Sequence, residues 1–134
     1  MEQHTYLYVE DDPLSREIMG FIMEAGMGIS SLTIFADSVN FSERLKMLTP
    51  RPDVILLDIH VQPHNGFDML KMIKSDPRYA GCRIIALTAS VMNEEVEQLR
   101  ISGFNGAIAK PLSVQTFPDL LKRLIAGEDI WHIA

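Results

Sequence analysis

One cysteine, Cys82, in the whole chain excludes an intrachain disulfide and suits a reducing compartment. Close to Ile84 and Ile85, it reads as a small buried hydrophobe rather than a reactive thiol. Basic residues are in deficit as well. The chain carries 12 Lys and Arg against 18 Asp and Glu, a net charge of -6. A nucleic-acid binder normally presents a basic face, so direct contact with DNA or RNA is not expected. No run approaches the roughly 18 apolar residues of a membrane span. The opening MEQHTYLYVEDD has acids where a signal peptide would be apolar. A soluble cytoplasmic protein without membrane contact is expected. No Gly-x-x-x-x-Gly-Lys phosphate loop, internal repeat, low-complexity tract or linker occurs. Apolar residues, by contrast, are plentiful. At 47% of 134 residues they can build a sizeable core, and one domain over 1–134 is expected, with a core at about 5–126 and a tail at 127–134.

Short apolar runs alternate with longer segments of helical spacing. The runs are Thr5–Val9, Leu32–Ala36, Val54–Leu57, Arg83–Leu87 and Ala107–Ala109. Val54-Ile55-Leu56-Leu57 is apolar throughout, as in a parallel strand covered on both faces. Asp12-Pro13 predicts an N-cap and first helical position, and Gly26 or Gly28 ends that helix. Ser38 predicts the cap of a second helix bearing Phe41, Leu45 and Leu48. Phe67, Leu70 and Ile73 mark a third, with Met69 and Met72 outside its core face. Asn93-Glu94-Glu95 opens a fourth that stops near Gly103. The last starts near Thr116, which places Pro118 in its first turn. Five βα units in succession predict an α/β fold: a five-stranded parallel sheet with helices on both faces. Ile130, Trp131 and Ile133 make the tail unusually apolar.

Ligands of an open parallel sheet bind at the carboxyl ends of its strands. There the chain offers Glu10-Asp11-Asp12 after the first strand, Asp58 after the third, Thr88-Ala89-Ser90 after the fourth and Lys110-Pro111 after the fifth. Each alone has a plain explanation as a cap, a turn or a solvated charge. Together they bring acids, a hydroxyl and a lysine to one edge. Glu10, Asp11 and Asp58 concentrate three negative charges, which calls for a cation. Hard oxygen donors with open positions suit Mg²⁺, and Mg²⁺ with Lys110 brings the site near neutrality. An acyl phosphate on Asp58 would share its added charge with the metal, the ammonium and the Thr88 hydroxyl.

YLYVEDDPLSR, PDVILLDI, NGFDML, IIALTAS and AIAKPL, in this order, resemble the response-regulator receiver domain from about Thr5 to Ala126. The resemblance implies a doubly wound, flavodoxin-like sheet of order 2-1-3-4-5. It implies a stand-alone signalling domain, not an enzyme, of a two-component system. Asp58 would accept a phosphoryl group from a histidine kinase or histidine phosphotransfer protein. Asp11, Asp58 and the His60 backbone carbonyl would bind Mg²⁺, with Glu10 acting through water. Thr88 and Lys110 would contact the phosphoryl group, small Ala89 would leave access, and the Lys110–Pro111 bond would be cis. The signal would leave through a surface to an unknown protein target, and homodimerisation stays open.

The chain departs from the family in two places. Val61 and Gln62 replace the usual Met-Pro, with proline following at Pro63. Ala107 stands where many receivers carry a switching Tyr or Phe, so output through Thr88 without an aromatic flip is expected. On the first helix Leu14, Ile18, Phe21, Ile22 and Ala25 share an arc of about 100° assigned to the sheet. Met19 and Met23 fall outside it and are candidates for a partner surface. His60 and His64 lie in a Pro/Gly loop rather than on a helix, which argues against a metal pair. Two alternatives remain. One is a receiver-like interaction module that is never phosphorylated. The other is a Toprim-like metal-dependent phosphotransfer enzyme, which would want Asp-x-Asp where this chain has Asp58-Ile59-His60.

Overall fold

The computed structural model describes residues 4–89 and 92–132. Its elements are β1 (Tyr6–Val9), α1 (Pro13–Phe21), β2 (Leu32–Phe35), α2 (Phe41–Lys46), β3 (Val54–Asp58), α3 (Gly66–Lys74), β4 (Arg83–Thr88), α4 (Asn93–Ser102), β5 (Gly106–Ala109), α5 (Phe117–Ile125) and β6 (Ile130–His132). All neighbouring strands pair in parallel, in the order β2-β1-β3-β4-β5-β6. The expected 2-1-3-4-5 arrangement is present, extended by one strand. Among the described residues no helix is long and apolar enough to cross a membrane.

Strand alternation divides the interior into two layers. Leu7, Val9, Ile55 and Leu57 face α2, α3 and α4 through Phe41, Leu45, Met69, Ile73 and Leu99. Tyr6, Tyr8, Val54 and Leu56 face α1 and α5 through Met19, Met23, Phe117 and Leu121.

The sixth strand corrects the expectation of a tail at 127–134. Gly106 pairs with Ile130, Ala107 with Trp131 and Ile108 with His132; Ile133 lies outside the described residues. Ile130 packs into the α1–α5 layer and Trp131 against the other, the alternation of a strand rather than a loose end. A Cβ on Gly106 would meet the Leu124 side chain and come within 2.8 Å of the Ile130 carbonyl oxygen. Glycine there is what lets β6 lie flush. From α4, Arg100 stacks over the Trp131 ring at 4.8 Å and approaches Asp129 at 3.9 Å, holding the strand to its neighbour.

Helix α1 corrects a second expectation. Met19 and Met23 are fully buried, whereas Leu14 is 62% and Phe21 59% exposed. Apolar residues surround most of this helix, so periodicity alone did not say which arc meets the sheet. The two methionines fill that contact with Ile22, each contributing about 1.5–3 kcal/mol of apolar burial. They offer no partner surface. The helix then widens into a π turn at Ile22–Gly26, and Gly28 follows at φ +66°.

Two smaller differences concern α2 and α3. Asn40, at φ 51°, precedes α2 as its cap, and Ser38 turns elsewhere. Met69 is fully buried and belongs to the core face of α3, while Phe67 and Met72 are half-buried beside it. The expected bounds of α4 and start of α5 hold: α4 opens at Asn93 and Gly103 closes it at φ 109°, and Pro118 sits in the first turn of α5 after Thr116.

Candidate functional site

The carboxyl ends of β1, β3, β4 and β5 bring Glu10, Asp58, Thr88 and Lys110 together. Glu10, Asp58 and Thr88 are buried, and Asp11 beside them is exposed. Carboxylate oxygens of Glu10, Asp11 and Asp58 lie within 4.8 Å of one another, a set of hard donors that fits a divalent cation. Lys110 Nζ donates to Glu10 Oε1 at 2.8 Å and stands 3.5 Å from Asp58 Oδ2. Its backbone N–H donates to the Thr88 carbonyl at 2.8 Å, which keeps the ends of β4 and β5 level. The Lys110–Pro111 peptide is cis, as are Thr49–Pro50 and Gln62–Pro63. Ser90 lies outside the described residues.

Burial first, then the hydrogen bond and negative charge of Glu10, push the Asp58 carboxyl up to about 6 against the pull of Lys110. Burial also works against charge on Glu10. Its hydrogen bonds with Asp58, Lys110 and Tyr8 outweigh that and hold its carboxyl below the usual range. Burial disfavours negative charge on both carboxyls, and added positive charge between them would relieve that cost.

Supporting contacts set the first turn. Asp12 caps α1, its Oδ2 accepting from the Ser15 backbone at 2.9 Å and from the Ser15 hydroxyl at 2.6 Å. Arg16 Nη1 donates to the Glu10 carbonyl at 3.0 Å, fixing the chain between β1 and α1. After β3 the loop bends back through Gly66, whose N–H donates to the Ile59 carbonyl at 2.9 Å. A Cβ on Gly66 would lie 2.9 Å from the Ile59 Cα, a backbone atom that cannot move aside, so the turn requires glycine. His60 is exposed, and its N–H reaches Asp58 Oδ1 at 3.4 Å. His64 lies apart from it, bound through its backbone to Ser38.

Sequence reasoning missed Ser38, Gly66 and Tyr8 as parts of this site. The Gly66 turn was visible as Asn65-Gly66, and Asn65 with Asp68 does form a reciprocal helix cap. Nothing in the sequence marked the bond from the Tyr8 hydroxyl to Glu10 at 2.9 Å. Ala107 is fully buried beside Trp131. Cys82 is half-buried, and burial with the nearby Asp53 charge pushes its thiol up to about 12, as expected of an inert packing residue. The cleft of about 230 Å³ lined by Leu45, Met72 and Pro77 lies away from these acids.

Comparisons with known proteins agree with this geometry. The polar-differentiation response regulator DivK of Brucella anthropi is 31% identical over 117 residues, 87% of this chain and 91% of that protein. DivK of Brucella ovis is 35% identical over 71 residues, 53% of this chain and 58% of that protein. Among solved structures, the receiver domain of sensor histidine kinase PA1611 from Pseudomonas aeruginosa, described with magnesium in its active-site cleft, superposes with a TM-score of 0.78. It is 25% identical and covers 93% of this chain and 99% of that one. Chemotaxis response regulator CheY4 of Vibrio cholerae shares the fold at a TM-score of 0.81 and 22% identity, covering 92% and 99%. The response regulator receiver domain matches residues 6–122, and the chain belongs to that family of two-component signalling domains.

Proposed function

We propose that this receiver takes a phosphoryl group on Asp58 from a histidine kinase or histidine phosphotransfer protein, in a Mg²⁺-dependent reaction. One observation carries the reading: Asp58 ends β3 in an acidic cluster, two of its three carboxyls buried, with the Lys110 ammonium 3.5 Å away. Asp11, Asp58 and the His60 carbonyl would hold the metal, with Glu10 acting through water. When bound, Mg²⁺ supplies positive charge to the phosphoryl oxygens. Asp58 attacks phosphorus as a carboxylate oxygen. The new O–P bond forms as the donor's N–P bond breaks, and the imidazole leaves with the electron pair and takes up a proton. Lys110 and the Thr88 hydroxyl then share the added negative charge. The chain assists this transfer and the later hydrolysis, in which water attacks phosphorus, the Asp58 O–P bond breaks and inorganic phosphate leaves, without acting as an enzyme on an outside substrate.

Output then begins at Thr88 and passes along the following loop to α4. Ala107 has no ring to turn, so an aromatic flip plays no part. Exposed Leu14 and Phe21, one on each side of half-buried Ile18 on α1, replace Met19 and Met23 as the surface against which a donor helix docks. The site supports the phosphorylated reading over an unphosphorylated module because all three acids, the threonine and the lysine are in place.

Acetyl phosphate with Mg²⁺ tests the assignment. One phosphoryl group per chain is expected, and none on Asp58→Asn. Undiminished labelling of a folded Asp58→Asn protein would falsify it.

A further inference from the structure

Tyr8 lies in β1 two residues before Glu10, so both side chains leave the strand on the same face. Its ring is fully buried in the α1–α5 layer, among Leu56, Leu87 and Phe117. Phenylalanine would pack there as well; the hydroxyl must have a partner, and it donates to Glu10 Oε1 at 2.9 Å. The same oxygen accepts from Lys110 Nζ at 2.8 Å. Oε2 accepts from the Asp12 backbone N–H at 3.3 Å. Glu10 is 0% exposed, so water cannot readily replace a lost donor.

We propose that Tyr8 is a positioning residue that lets Lys110 change partners. Its hydroxyl keeps Glu10 Oε1 bonded when Lys110 turns from Glu10 towards a phosphoryl group on Asp58. The proposal rests on the acceptor reading above. In the resting site the ammonium lies 2.8 Å from Glu10 and 3.5 Å from Asp58, so the exchange needs only a small movement of the lysine end. A buried carboxylate oxygen stripped of its donors opposes that movement. With Tyr8 present, Oε1 gives up one of two donors and remains satisfied. Without it, the bonding of Oε1 falls on Lys110, which is then held in the resting position.

Tyr8→Phe keeps the ring and removes the hydroxyl. Beryllofluoride with Mg²⁺ serves as the probe for the phosphoryl-bound arrangement, and Mg²⁺ alone for the resting one, both by calorimetric titration. Beryllofluoride affinity should fall about tenfold in Tyr8→Phe, the factor corresponding to ~1.4 kcal/mol. Affinity for Mg²⁺ alone should stay within about twofold, because Lys110 has not moved. In a Glu10→Gln background, where no charge retains the lysine, Tyr8→Phe should add less than about twofold. A chain with 3-fluorotyrosine at position 8 keeps the hydroxyl and should bind beryllofluoride like the wild type. Equal weakening of both probes would mean that Tyr8 only braces the site, and the proposal fails. It fails equally if neither probe is affected, if the fluorotyrosine chain loses affinity, or if the effect persists undiminished in Glu10→Gln. A wild-type protein that neither binds beryllofluoride nor labels with acetyl phosphate overturns the acceptor reading itself. Wild type and Tyr8→Phe labelling and binding alike would overturn only the role of Tyr8.

Discussion

Ser38 and His64 exchange hydrogen bonds in both directions: the Ser38 hydroxyl donates to the His64 carbonyl at 2.7 Å and accepts from the His64 N–H at 2.7 Å. The Ser38 N–H also donates to the Gln62 carbonyl at 3.2 Å, so a buried serine after β2 holds the loop that follows Asp58. Ser38→Ala should cost about 1–2 kcal/mol by leaving the His64 backbone unpaired. Urea denaturation measures that loss. Mg²⁺ titration should show weaker binding too, because His60 lies in the freed loop.

The carboxyl of Asp58 gives the stability a definite pH dependence. Its ordinary value of 3.8 is raised to about 6 in the folded chain, chiefly by burial. The folded state therefore binds the proton more tightly than the unfolded one. Its stabilisation is complete below pH about 4 and is lost as pH rises through about 6. Asp58→Asn should then be more stable than the wild type at pH 7 by about 1–2 kcal/mol without metal, the gap closing below pH about 4. Denaturation curves at several pH values check both the sign and the window.

Asp11 is exposed, and no packing depends on it. Asp11→Ala should abolish Mg²⁺ binding while changing stability by less than about 0.5 kcal/mol. Calorimetric titration beside thermal denaturation separates the two effects.

Leu14 and Phe21 supply the exposed apolar surface of α1. Replacing both with Lys should slow transfer from the cognate phosphohistidine protein by about tenfold or more. Labelling by acetyl phosphate, which needs no docking surface, should stay within about twofold. Equal slowing with both donors would count against this surface.

Gly106→Ala tests the attachment of β6. The added methyl meets Leu124 and the Ile130 carbonyl, so the variant should lose about 1–3 kcal/mol. Trp131 is the only tryptophan in the chain. Its emission should shift to the red as the strand detaches, and an unchanged spectrum would show that β6 stays in place.

What the sequence disclosed follows from how each feature is encoded. Val54–Leu57 reads as an inner strand because it is apolar throughout, and the acids at the ends of two such runs do come together in the structure. Helix α1 was ambiguous because Leu14, Ile18, Met19, Phe21, Ile22 and Met23 leave it little polar face. Choosing between its arcs takes the sheet itself. Ser38 carried the usual cap signal, yet a serine hydroxyl bonds equally well to a distant loop. Strand β6 is three residues long, too short for a period to register. Tyr8 looked like any core aromatic, since its bond to Glu10 is a matter of reach and angle.

Strand β6 also decides how the sheet can be extended. The outer backbone groups of β5 are already paired, so β5 offers no margin on which a segment of another chain could continue the sheet. Among the described residues, what remains are the far side of β2, four residues long, and the far side of three-residue β6. Both are poor templates. Main-chain pairing therefore has little to work with here, and the side chains of the helices and loops make up the larger recognition surface.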